Sequence, residues 1–151
     1  MDKYNLRQII LDYPSQLHLG QQFAENVSPE KKNFKNLVIC GMGGSALPAD
    51  LLASYLANQE KPFELPVLIS RDYNLPAGTN ENSLVFISSY SGNTEETISC
   101  FRQALEKKSS IVAFSEKGEV EKMAKENSLS HVKYQIDFPH FQPRYANTYA
   151  F

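Results

Sequence analysis

The sequence predicts an α/β domain, a doubly wound parallel sheet of about five strands with helices on both faces in three αβα layers. Three observations predict it. Short, wholly apolar runs recur along the chain, stretches of helical periodicity alternate with them, and glycine and serine mark the junctions between the two. An apolar run without alternation suits a strand covered on both faces, and strands alternating with helices make βαβ units with parallel pairing.

The elements follow in order. Leu6, Ile9, Ile10, Tyr13, Leu17, Phe23 and Val27 recur at three- and four-residue steps with a break at Pro14, which predicts two short helices. "SPEKKNFKN" supplies turn residues, and "LVIC" (37–40) is a buried strand that stops at "GMGGSA". "LPVLIS" (65–70), "SLVFIS" (83–88), "SIVAFS" (110–115) and "HVKYQI" (131–136) repeat the strand pattern. Helical patterns cover about 45–57, 93–108 and 118–127, whereas 70–82 reads as loop. The expected strand order is flavodoxin-like. The chain then divides into helices packing on the domain (1–35), the core (36–137) and an aromatic tail (138–151).

At 151 residues and 17.1 kDa the chain is expected to fold as one unit. Lys and Arg number 15 against 17 Asp and Glu, scattered without a basic block, which argues against nucleic acid and anionic membrane as partners. Cys40 and Cys100 show no C-x-x-C pattern and no nearby His at ligand spacing, and read as core thiols of a reduced, cytoplasmic protein. The opening "MDKYNLRQIILDYPSQ" has no cleavage site, and no stretch approaches the roughly 20 apolar residues of a membrane span. A soluble chain without an export signal is expected.

In an open parallel sheet, ligands bind beyond the carboxyl ends of the strands, where both "GMGGSA" and "SYSGNT" fall. A helix start attracts an anion without Lys or Arg, because its first N–H groups lack intrahelical partners and carry partial positive charge. Ser89, Ser91 and Thr94 add three hydroxyl donors, and Gly92 permits the tight turn that points amides inward. Gly43 and Gly44 let the first loop approach a ligand closely, with Ser45 as a further donor. The combination predicts a phosphate cradle. A plainer account, in which each Ser or Thr is an N-cap and each Gly a turn, stays open for either loop alone. "GMGGSA" also satisfies G-x-G-x-x-A, but the acid that should end the second strand about 20 residues on is misplaced. Asp72 comes too late and follows Arg71, so dinucleotide binding is a weak match.

"GMGGSA" after the first strand and "SYSGNTEET" after the third resemble the sugar isomerase (SIS) domain, and more narrowly the amino-terminal SIS domain of bifunctional phosphoglucose/phosphomannose isomerases. "LRQIILDYPSQL" is similar to that family's opening helix and "QPRYANTY" to its Pro-Arg segment, so the resemblance covers the whole chain. It implies that Ser89, Ser91 and Thr94 bind phosphate, that Ser45 and the backbone of Gly43 and Gly44 hold the sugar, and that Arg144 stabilises negative charge on the reacting oxygens. It also implies interconversion of glucose 6-phosphate or mannose 6-phosphate with fructose 6-phosphate, with no metal or other cofactor. The family's second SIS domain, which supplies a Glu base and a ring-opening His, and its homodimer are the implied partners. "SEKG" stands where that family has a Ser-Gly-Gly-type turn, a departure at the rim of the site.

Moving a proton between neighbouring carbons of a sugar phosphate requires a base. Glu95 and Glu96 fall in a first helical turn, where an acid complements the dipole. His18, His131 and His140 lack tuning partners, although His140 is near Arg144 in sequence. The chain alone is therefore expected to bind sugar phosphate and turn over little. A noncatalytic sugar-phosphate sensor and a self-contained tetrameric isomerase are the alternatives. The tail "DFPHFQPRYANTYAF" carries Phe138, Phe141, Tyr145, Tyr149 and Phe151, which suits docking on another domain better than a free terminus.

Overall fold

Strands β1 (Asn36–Cys40), β2 (Val67–Ser70), β3 (Ser83–Ser88), β4 (Ser110–Ser115) and β5 (Ser130–Lys133) form one parallel sheet in the order β2-β1-β3-β4-β5. The computed structural model describes residues 6–11, 20–25, 27, 32–61 and 63–134. Helix α1 is Leu6–Leu11, α2 is described over 20–24, and α3 (Leu47–Ala57), α4 (Glu95–Glu106) and α5 (Glu119–Glu126) follow.

The apolar runs pack as strands because both faces of the sheet are covered. Leu37 and Ile39 of β1 join Leu84, Val112, Phe114 and Val132 against Ala49 and Leu52 of α3, with Phe23, Val27 and Phe34 alongside. Val38 and Cys40 face the other way, with Val85, Ile87, Ile111 and Ala113, against Cys100, Phe101 and Ala104 of α4 and Val120, Met123 and Ala124 of α5. The alternation of side chains across a pleated strand assigns successive residues to opposite cores. Cys40 and Cys100 are buried free thiols. Their mutual hydrogen bond, reinforced by burial, holds the Cys40 thiol well above the ordinary thiol range.

The expected strand order and the helix-free β2–β3 connection are both present. That connection is stitched to α4. The Gln103 side-chain amide donates to Tyr73 O (2.6 Å) and accepts from Leu75 N–H (3.2 Å), and the Cys100 thiol donates to Asp72 O (3.3 Å). Among the strands, the bounds differ most at β2 and β5. β2 begins at Val67 rather than 65, because Pro66 gives its carbonyl to Leu37 N–H (2.9 Å) but has no N–H to return. β5 begins at Ser130 and is described to Lys133, with 135–136 outside the described residues.

Helices α4 and α5 end alike. Ser109 N–H bonds Ala104 O (3.0 Å) and Lys108 N–H bonds Leu105 O (3.0 Å); Leu129 to Ala124 (2.9 Å) and Ser128 to Lys125 (3.1 Å) repeat the pattern. This closure places one residue in the left-handed region, usually glycine, but here Lys108 (φ 56°) and Ser128 (φ 54°). Lys108→Gly and Ser128→Gly are each expected to raise stability by about 1 kcal/mol, read as a higher urea midpoint with an unchanged slope.

On the α5 face, His131 Nε2 lies 2.9 Å from Ser115 Oγ, and Glu121 accepts from Lys125 (2.7 Å) and Lys133 (2.8 Å). Burial holds the His131 pKa down, and the two lysine hydrogen bonds pull Glu121 to about 2. In both cases the unfolded chain takes up the proton more readily than the folded one, so stability falls as pH falls. The His131 contribution fades below its ordinary 6.5, and that of Glu121 fades from 4.5 towards 2. Thermal melts across this range should show both limbs, and Glu121→Gln should flatten only the lower one.

Candidate functional site

The strand order reverses between β1 and β3, and the loops leaving these strands meet there, at the carboxyl edge of the sheet. In the first loop, a Cβ on Gly41 would lie 2.8 Å from Ser45 O and 3.0 Å from Ser88 O, so only glycine lets the loop fold back this tightly. A 3-10 turn follows over Gly43–Ser45, with Ser45 N–H on Met42 O (2.9 Å). The helix expected from 45 therefore begins at Leu47, and Pro48, with no N–H to satisfy, occupies its first turn. The turn carries Ser45 across to the second loop.

Ser45 joins the loops. Ser88 Oγ, on the last residue of β3, donates to Ser45 O (3.0 Å), and Tyr90 N–H donates to Ser45 Oγ (3.3 Å). Ser45 is thus tied to Ser88 and Tyr90, the residues on either side of Ser89. Gly43 and Ser91 are exposed, Gly44, Ser45 and Thr94 partly exposed, and Ser89 buried.

The hydroxyls are not three independent donors as the sequence suggested. Ser89 Oγ and Thr94 Oγ1 are 2.9 Å apart and share one hydrogen, so this pair has one hydroxyl hydrogen left to give outward. Ser91 Oγ accepts from Asn93 N–H (3.3 Å). Thr94 is the N-cap residue of α4 yet makes no side-chain cap bond, and Ser45 does not cap α3, where Ala46 holds that position. Neither residue therefore serves as the ordinary cap that its position would suggest. Glu95 and Glu96 lie in the first turn of α4 as expected.

Five residues of this arrangement were not legible in the sequence. Ser88 looked like strand, yet it ties the loops together. Tyr90 stacks on Tyr134 (centroids 6.1 Å apart), which Phe23 meets edge-on at 6.4 Å. The buried Tyr134 phenol lies beside Ser88, and burial pushes its pKa up. Asn93 and Gly118 connect the loop to α5. The repeated strand, glycine turn and helix at "SEKGE" was the available signal for Gly118. Arg144, His18, His140 and the aromatic tail lie outside the described residues. Among the described residues, no three His, Cys, Asp or Glu side chains group as a metal site, and no helix is long and apolar enough to cross a membrane.

The bifunctional phosphoglucose/phosphomannose isomerase of Caldicellulosiruptor bescii is 33% identical over 144 residues, 94% of this chain. That of Aquifex aeolicus is 34% identical over 122 residues, 81% of this chain. The chain is homologous to bifunctional phosphoglucose/phosphomannose isomerases. It spans 41% and 37% of those two isomerases' own lengths. A solved structure from Clostridium difficile described as a phosphosugar isomerase matches with a TM-score of 0.65 at 17% identity, over 93% of this chain and 41% of that one. The five-stranded sheet with its flanking helices is thus the SIS fold of the phosphosugar isomerases. No family model matches the sequence.

Proposed function

We propose that this chain is the sugar-phosphate-binding SIS domain of an aldose–ketose isomerase, which interconverts glucose 6-phosphate or mannose 6-phosphate with fructose 6-phosphate. The observation that carries the reading is the uncapped start of α4, where Thr94 turns its hydroxyl to Ser89 instead of to the helix. A helix start without a side-chain cap, flanked by hydroxyls, suits a phosphate. The phosphate is held by Ser89, Ser91 and Thr94, and the sugar reaches towards Ser45 and the backbone of Gly43 and Gly44. Homology to phosphoglucose/phosphomannose isomerases supports the hexose phosphate as ligand.

The reaction passes through an enediol formed by removal of the C2 proton. Arg144 stabilises the enediolate, and a second SIS domain of the complete protein, working as a cytoplasmic homodimer, supplies the base. Without a base, the chain binds and turns over little. Calorimetric titration tests the reading: fructose 6-phosphate should bind, inorganic phosphate should bind more weakly, and fructose should not bind. Equal binding of fructose and fructose 6-phosphate would refute it.

A further inference from the structure

The loop over residues 89–94 does not stand alone at the edge of the sheet. Helix α5 begins after Gly118, which has no side chain to cap it, and its first amides are satisfied from the hydroxyl loop instead. Glu119 N–H donates to Asn93 Oδ1 (3.1 Å), and Val120 N–H donates to Gly92 O (3.0 Å). A third bond runs from Glu116 N–H to Tyr90 O (3.0 Å). The fit is close enough that a Cβ on Gly118 (φ 86°) would lie 2.5 Å from Ser91 O and 2.7 Å from Asn93 Oδ1. The Asn93 backbone N–H also donates to Ser91 Oγ (3.3 Å).

We infer that Asn93 is a positioning residue of the cradle: its carboxamide fastens the hydroxyl loop to α5, and its backbone N–H fixes the Ser91 hydroxyl. This rests on the reading of the cradle as a phosphate site. The chemistry of the side chain accounts for the choice. Its oxygen accepts from the α5 start as a capping residue would, but from another element, so the helix and loop hold one another in register. Because the carboxamide is neutral, it does so without placing a negative charge beside the phosphate. The "SEKG" turn takes part in the same arrangement. Lys117 O packs against Gly92, Gly118 opens the space that Asn93 fills, and the departure noted at the rim is the surface on which the loop is seated.

The experiment uses residues 1–151 as wild type, Asn93→Ala and Asn93→Asp, with fructose 6-phosphate and inorganic phosphate as probes. All three proteins are followed by thermal melting, amide hydrogen exchange and calorimetry. Asn93 is exposed, so Asn93→Ala should keep a cooperative melt. It should lose exchange protection at the Glu119 amide and at the residue 93 amide that bonds Ser91 Oγ, and bind both probes at least about fivefold more weakly. Asn93→Asp retains the acceptor and should recover protection at Glu119. If Asn93→Ala binds both probes as the wild type does, or leaves the amides of Glu119 and residue 93 as well protected, the inference is overturned. Should the wild type bind neither probe, the phosphate reading fails, and exchange at the amides of Glu119 and residue 93 alone decides whether Asn93 positions the loop.

Discussion

Gly92→Ala is expected to destabilise the protein by about 3 kcal/mol or more and to abolish ligand binding at the cradle. Two effects add. Gly92 has φ 71°, where an L side chain costs about 1–2 kcal/mol. The added Cβ would also fall 1.7 Å from Lys117 O and 3.1 Å from Gly118 Cα, both backbone atoms. No side-chain rotation relieves that contact. Relief requires moving the β4–α5 turn, which the Val120 to Gly92 and Glu116 to Tyr90 bonds hold in place. Gly43→Ala is the natural control. Its φ is 50°, but nothing lies within 4 Å of the added carbon, so the loss should be only about 1 kcal/mol. Urea denaturation of both variants separates the two causes. Equal losses would mean that the close approach at Gly92 is not a real constraint.

Thr94→Val is expected to weaken phosphate binding at least about tenfold and to cost about 1–2 kcal/mol of stability. The substitution keeps the shape and removes the hydroxyl. Ser89, 1% exposed, then loses the partner 2.9 Å away, and a buried hydroxyl without a partner is costly. The one outward hydroxyl hydrogen then has to come from the buried Ser89. Thr94→Ser keeps the oxygen and should retain most of both properties. Melting and calorimetry on the two variants check this, and an undiminished affinity in Thr94→Val would remove Thr94 from the site.

The sheet was legible because burial on both faces writes itself as unbroken apolar runs: "SLVFIS" and "SIVAFS" match β3 and β4 to the residue. The edge strands were less so. Pro66 truncated β2, and no single-residue signal marked the start of β5 at Ser130. At the candidate site, the glycines and hydroxyls could be read as residue types, but their connections could not. The hydrogen shared by Ser89 and Thr94 is set within one loop, but that Ser88 reaches Ser45 and that Asn93 serves a helix 26 residues further along are consequences of strand order. Local sequence carries turn chemistry, whereas these bonds exist only once β1, β3 and β4 lie side by side.

If the two loops form one phosphate cradle, fructose 6-phosphate added to isotope-labelled protein must perturb the backbone amides of both, as followed by NMR titration. Saturable shifts centred on residues 43–45 and 89–94 are expected, absent with fructose and lost in Ser91→Ala. Shifts confined to other parts of the sheet, or no saturable shift at either loop, would contradict it.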